Sequence, residues 1–145
     1  MIKKTLSFIA VLLITCSTTA FSHDFKFGVG ATYGDKTDFG VHGRALIGMN
    51  EDIDLVGGFT FSVQSGLTLW QINADGHYTF LEKDDFSFYG LAGLSYSLAK
   101  TTGGELYDEI GFDIGAGVEF KKFFGEVKFD TGMGDQFALT VGMYF

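Results

Sequence analysis

Beyond residue 22, apolar and polar residues alternate with a period of two along most of the chain, and the last segment shows the pattern most plainly. Phe137, Leu139, Val141, Met143 and Phe145 alternate with Ala138, Thr140, Gly142 and Tyr144. A segment of this kind is a strand with one wholly apolar face. Seven more segments repeat the pattern, at 24–33, 39–49, 53–62, 70–80, 86–98, 109–120 and 123–131, with the eighth at 136–145. Turn residues separate them at 34–38, 50–52, 63–66, 81–85, 121–122 and 132–135, and the longest connection is expected at 99–108, rich in Thr and Gly.

The two faces differ in a way that fixes the solvent of each. One set carries no charged residue in any segment, and apart from Tyr and Trp its only hydrogen-bonding side chain is Thr131. It includes Phe25, Phe27, Val29, Val41, Ile47, Phe59, Ile72, Leu94, Ile114 and Val127. The opposite set carries every charge borne by a strand, together with many glycines. In a water-soluble barrel or sandwich the bulky apolar face would turn inward and a Lys/Glu/Thr-rich face would meet water. Here the glycine-rich face reads as the lining of a narrow interior. A charge on a lipid face costs ~2–4 kcal/mol at mid-bilayer, which explains the absence of charge from the bulky face. Aromatic residues gather at segment ends, with Tyr78, Phe80, Phe120 and Phe123 towards one rim and Trp70 and Tyr96 towards the other, as interfacial girdles require. The expected fold is therefore all-β: an eight-stranded antiparallel transmembrane up-and-down β-barrel, closed so that no backbone group is left unpaired in hydrocarbon.

Composition agrees and excludes several classes. Residues 1–22 read as a cleaved signal peptide, with basic Lys3 and Lys4, an apolar run at 6–14 too short to span a bilayer, and small residues at 18–22. Cys16 follows Thr15 and lacks the small residue that precedes a lipidated cysteine. Removal of residues 1–22 leaves a single domain at 23–145, takes two lysines and moves the net charge from −8 to −10. The only cysteine leaves too, so no disulfide holds the fold. The acidic balance opposes nucleic-acid binding. No spacing suggests a metal or cofactor site, and Gly28-x-Gly30 and Gly115-x-Gly117 lie within strands, with no helix following to hold a phosphate.

The segments at 88–96 (Phe-Tyr-Gly-Leu-Ala-Gly-Leu-Ser-Tyr) and 111–120 (Gly-Phe-Asp-Ile-Gly-Ala-Gly-Val-Glu-Phe) resemble the small outer-membrane β-barrel proteins, the OmpA-like or porin-like eight-strand family. The resemblance implies a bacterial outer membrane of the Gram-negative type, contact with its lipid and lipopolysaccharide, and insertion by the outer-membrane assembly machinery. The family's terminal assembly signal resembles Val141, Met143 and Phe145, with Met143 where an aromatic is common. An even strand number returns both ends to the periplasmic side. The short turns at 50–52, 81–85 and 121–122 then lie there, and 34–38, 63–66, 99–108 and 132–135 are the outer loops.

An eight-stranded barrel is just wide enough for its own side chains. A lumen ion-pair network is expected from Lys26, His42, Arg44, Asp75, His77, Asp113, Glu126, Lys128 and Asp130. The two-residue turn Lys121-Lys122 sets Asp113 opposite Asp130 and Gly115 opposite Lys128, and the turn at 81–85 is expected to set His77 opposite Tyr89. Adjacent like charges need a counter-ion, so Arg44 or Lys128 is expected beside Asp113 and Asp130. The function expected is structural or surface-interacting, non-enzymatic and monomeric, with the interior plugged. The alternative is a narrow small-solute or ion pore through the glycine-lined lumen. A lipid-modifying enzyme is the remote third, since the outward face offers neither Ser nor His as a nucleophile and base. Loop 99–108, with Tyr107, is the best candidate for a partner contact.

Overall fold

The structure is a computed structural model that describes residues 25–35, 38–132 and 134–145. The signal peptide expected at 1–22 lies outside the described residues. Eight strands follow one another: β1 (Phe25–Gly34), β2 (Asp38–Gly48), β3 (Ile53–Gln64), β4 (Leu67–Lys83), β5 (Phe86–Thr101), β6 (Leu106–Phe120), β7 (Phe123–Asp130) and β8 (Gln136–Tyr144). Each pairs antiparallel with its sequence neighbours, and β1 pairs with β8, so the sheet closes into a barrel. The seam runs from Gly28 against Tyr144 to Gly34 against Ala138.

The alternation read from the sequence is the alternation of faces. Ile110, Phe112 and Ile114 are 72%, 67% and 63% exposed on the outside of β6, while Gly111 and Asp113 between them are buried. The same holds for Phe25, Phe27 and Val29 on β1 and for Phe137, Leu139 and Val141 on β8. The buried residues are in large part polar, the reverse of a soluble domain. A cylinder with this exterior is stable only where hydrocarbon surrounds it.

Strand lengths are uneven. β4, β5 and β6 span 17, 16 and 15 residues, against 8 and 9 for β7 and β8. The ten-residue loop expected at 99–108 is not there, because Ala99 and Lys100 pair with Tyr107 and Leu106 and leave only 102–105 to turn the chain. Thr and Gly content suggested a loop, but the ladder runs on past the girdle residue Tyr96, where water replaces lipid and polar residues are tolerated on both faces. The periplasmic turn expected at 81–85 is likewise shorter. β4 continues to Lys83 and turns at Asp84-Asp85, with Asp84 in the left-handed region at φ +54°. An irregularity between Thr79 and Leu81 leaves Phe80 without a partner on β5. β4 runs three residues further than expected, to pair Lys83 with Phe86, and the extra residue at Phe80 takes one of those three back, so Thr79, not His77, faces Tyr89, and His77 faces Leu91. The Lys121-Lys122 turn, with Lys121 at φ +57°, does give the expected pairs Asp113–Asp130 and Gly115–Lys128.

Candidate functional site: a plugged lumen

Inward positions of β2, β4, β5 and β7 meet near the middle of the barrel. Arg44 on β2 reaches across the lumen to Glu126 on β7, with Nη1 donating to Oε2 at 2.9 Å and Nη2 to Oε1 at 3.2 Å. The two-pronged geometry uses both carboxylate oxygens, and both side chains are 2% exposed. Tyr89 donates its hydroxyl to Glu126 Oε2 at 2.9 Å. Arg44 Nε donates to His42 Nε2 at 3.1 Å, which makes Nε2 an acceptor and leaves Nδ1 as the protonated nitrogen, donating to Thr60 Oγ1 at 2.8 Å. The guanidinium lies 4.0 Å from the centre of the Phe124 ring. His77 stacks on Tyr89, rings 4.5 Å apart and 12° from parallel, with Nε2 3.9 Å from Glu126, too far for a hydrogen bond. The two rings that the expected register would have set directly opposite therefore meet on the diagonal.

A second cluster lies further from the periplasmic end. Lys128 Nζ donates to Asp113 Oδ2 at 3.1 Å and stands 3.7 Å from Asp75 Oδ2. Asp75 also accepts from Asn73. Asp130 takes no cation among the described residues. It accepts instead from Gln71, from Ser95 Oγ at 3.0 Å and from the Gly132 N–H at 2.6 Å. Lys128 is thus the counter-ion of Asp113, as one of the two expectations had it. Arg44 is not, because a partner 82 residues away across the lumen claims it. Lys26 stands apart from both clusters, half-buried, its Nζ 5.9 Å from the Tyr144 ring centre.

Towards the outer end the lumen is filled by Thr32, Ser62, Ser97, Gln136 and Thr140, each 7% exposed or less, with Thr140 donating to Thr32 at 3.0 Å. Towards the periplasm it opens into a cavity of about 650 Å3, lined by Lys26, Asp54, Thr79, Glu82 and Glu119 and ending at His77 and Tyr89. Between these regions two cations, Arg44 and Lys128, face four carboxylates, Asp75, Asp113, Glu126 and Asp130, all buried. The sequence set Tyr144 on the interior face of its segment, but it assigned no role in the lumen to Tyr144 or to Phe124. They pack with Leu46 and Val56 into a small apolar cluster inside the barrel. Inward parity was the signal for both, but the lumen was expected to be filled by charged and small residues, which leaves no place for an apolar cluster.

No His/Cys/Asp/Glu group able to hold a metal occurs among the described residues. On the outer surface the girdle residues all stand at outward positions: Tyr78, Phe80 and Phe123 are 55%, 60% and 59% exposed, Phe120 is 37% exposed, and Trp70 and Tyr96 are half-buried by neighbours.

Among solved structures, the N-terminal β-barrel domain of Pseudomonas aeruginosa OprF superposes with a TM-score of 0.63 at 17% identity, covering 83% of this chain and 97% of that one. Neisserial surface protein A gives 0.63 at 18% identity, over 83% and 95%. Ail, the attachment invasion locus protein of Yersinia pestis, gives 0.50 at 16% identity, over 83% and 97%. This chain has the fold of the small outer-membrane β-barrels. No protein-family model matches the sequence, and no curated protein matches it either. An outer-membrane barrel fold with a charge-free apolar belt belongs in a bacterial outer membrane.

Proposed function

We propose that the chain is a non-enzymatic barrel with a structural and surface-interaction role, monomeric in the membrane, its interior closed by the ion-pair network. The observation that carries this reading is the Arg44–Glu126 pair, which bridges opposite walls of the lumen at full burial. Export by cleavage after residue 22 and delivery by the assembly machinery belong to the same reading. Val141 and Phe145, 52% and 72% exposed, present the terminal signal on the outside with Met143 between them. The surface role rests on the β5–β6 hairpin. β7 pairs with β6 only over 113–120, so the outer end of β6 rises with Leu106, Tyr107 and Ile110 exposed above its neighbour. That hairpin is the contact point for lipopolysaccharide or another envelope partner. Both histidines of the described strands that could serve as a base lie inside the lumen, away from lipid substrates. Planar-bilayer recording of the purified protein tests the reading: a closed baseline is expected, and steady unitary conductance in the unmodified protein would overturn it.

The second reading, a narrow pore, is favoured by the periplasmic cavity and by the excess of carboxylates over cations in the lumen. A pore so lined passes cations in preference to anions, and the reversal potential in a salt gradient reads this directly.

A further inference from the structure

On the lipid-facing wall near the periplasmic end, β5 to β8 and β1 border a groove of about 620 Å3. Its sides are Phe86, Phe120, Phe123 and Met143, and its bottom lies at Gly125. A Cβ added at Gly125 would meet nothing nearer than Val118 Cγ1 at 4.0 Å, so the dent is not imposed by close packing, and a larger residue would fill it. Beside the groove the Lys121-Lys122 turn joins Phe120 to Phe123. Lys121 Nζ stands 5.2 Å from the Phe120 ring centre. Its ion pair with Asp85 spans 3.9 Å between side chains 60% and 63% exposed, and such pairs contribute little. Lys122 is exposed and makes no ion pair among the described residues. The other two turns at this end are acidic: Asn50-Glu51-Asp52 lies away from the groove, Asp84-Asp85 leads into Phe86 at its edge, and Lys121-Lys122 is the basic turn beside it.

We propose that the groove and the lysine pair form a site for one anionic phospholipid of the periplasmic leaflet. An acyl chain lies over Gly125 between the phenylalanines, and the phosphate and headgroup meet Lys121 and Lys122. Charge complementarity selects this occupant. A second copy of the chain could set its acidic turns against the lysines but brings only strand-borne side chains to the dent over Gly125, whereas a lipid supplies a flexible apolar tail and the anion together. The lipid preference presupposes the membrane-spanning barrel and adds selectivity to it.

The test is native mass spectrometry of the full mature barrel, released from micelles containing equal amounts of phosphatidylglycerol and phosphatidylethanolamine with the same acyl chains. One phosphatidylglycerol is expected to be retained in preference. Lys121→Gln and Lys122→Gln should each lower that preference about fivefold, the factor corresponding to ~1 kcal/mol per basic residue at an anionic surface. Gly125→Leu should lower retention of both lipids while heat-modifiable gel mobility shows the barrel intact, and Lys83→Gln, at the neighbouring turn, should leave the preference unchanged. Equal retention of the two lipids, a preference that survives loss of both lysines, an equal loss in Lys83→Gln, or a dimer mass in place of the lipid adduct would each overturn the proposal.

Discussion

Glu126→Ala is the perturbation that most directly probes the plug. Glu126 accepts three hydrogen bonds, two from Arg44 and one from Tyr89, in a lumen where both charged side chains are 2% exposed. Removing the carboxylate leaves a buried guanidinium with neutral polar neighbours, the His42 nitrogen and the Tyr144 hydroxyl. Breaking a buried pair from one side costs about 3–5 kcal/mol, because the remaining charge keeps its desolvation penalty and loses its compensation. Removing both charges in Arg44→Met/Glu126→Leu takes the penalty away with the attraction, and should return stability to within about 1 kcal/mol of the unmodified protein. Urea unfolding in lipid vesicles, followed by the fluorescence of the single tryptophan, Trp70, measures both variants. A cost below about 1 kcal/mol for Glu126→Ala would mean that water reaches Arg44 freely, and the closed-lumen reading would fail.

Lys128→Met removes the cation shared by Asp75 and Asp113 and should destabilise by about 3 kcal/mol in the same assay, with Asp113→Asn added to it restoring part of the loss. Gly115→Ala places a Cβ 2.3 Å from the Val127 carbonyl oxygen and 2.9 Å from Lys128 Cα, so it should cost about 1–3 kcal/mol. Gly57→Ala, on the lipid face with nothing within 4 Å of the added carbon, should leave the urea midpoint unchanged or raise it. Ile114→Arg puts a charge on the outer face midway along β6 and should cost ~2–4 kcal/mol in vesicles; no loss there would argue against contact with hydrocarbon.

What the sequence disclosed and what it withheld divide along physical lines. Faces were legible because a period of two ties each side chain to one of only two environments, and lipid tolerates no charge. The Asp113–Asp130 pairing was legible because a two-residue turn leaves no freedom in the register. The pairing of His77 was misread because it depends on where the β4–β5 turn falls: the turn closes at Asp84-Asp85, three residues further along than polarity suggested, and an irregularity at Phe80, which has no signature in hydrophobicity, offsets one of the three. The length of the β5–β6 hairpin was misread because strand composition rules change once the ladder leaves the bilayer. Arg44 and Glu126 could be named as lumen residues but not matched to each other, since contact across a barrel depends on its diameter and tilt, not on neighbouring registers.

The seam between β1 and β8 has a consequence for how the molecule comes into being. Thr32 and Thr140, hydrogen-bonded across it, are separated by 108 positions, and no shorter-range contact can substitute for that closure. Ring formation must wait until every strand has left the ribosome, because the earliest and latest of them share an edge. Until then both edges carry unpaired backbone and the bulky face has no lipid to meet, so closure of the ring and arrival at a membrane belong to one event.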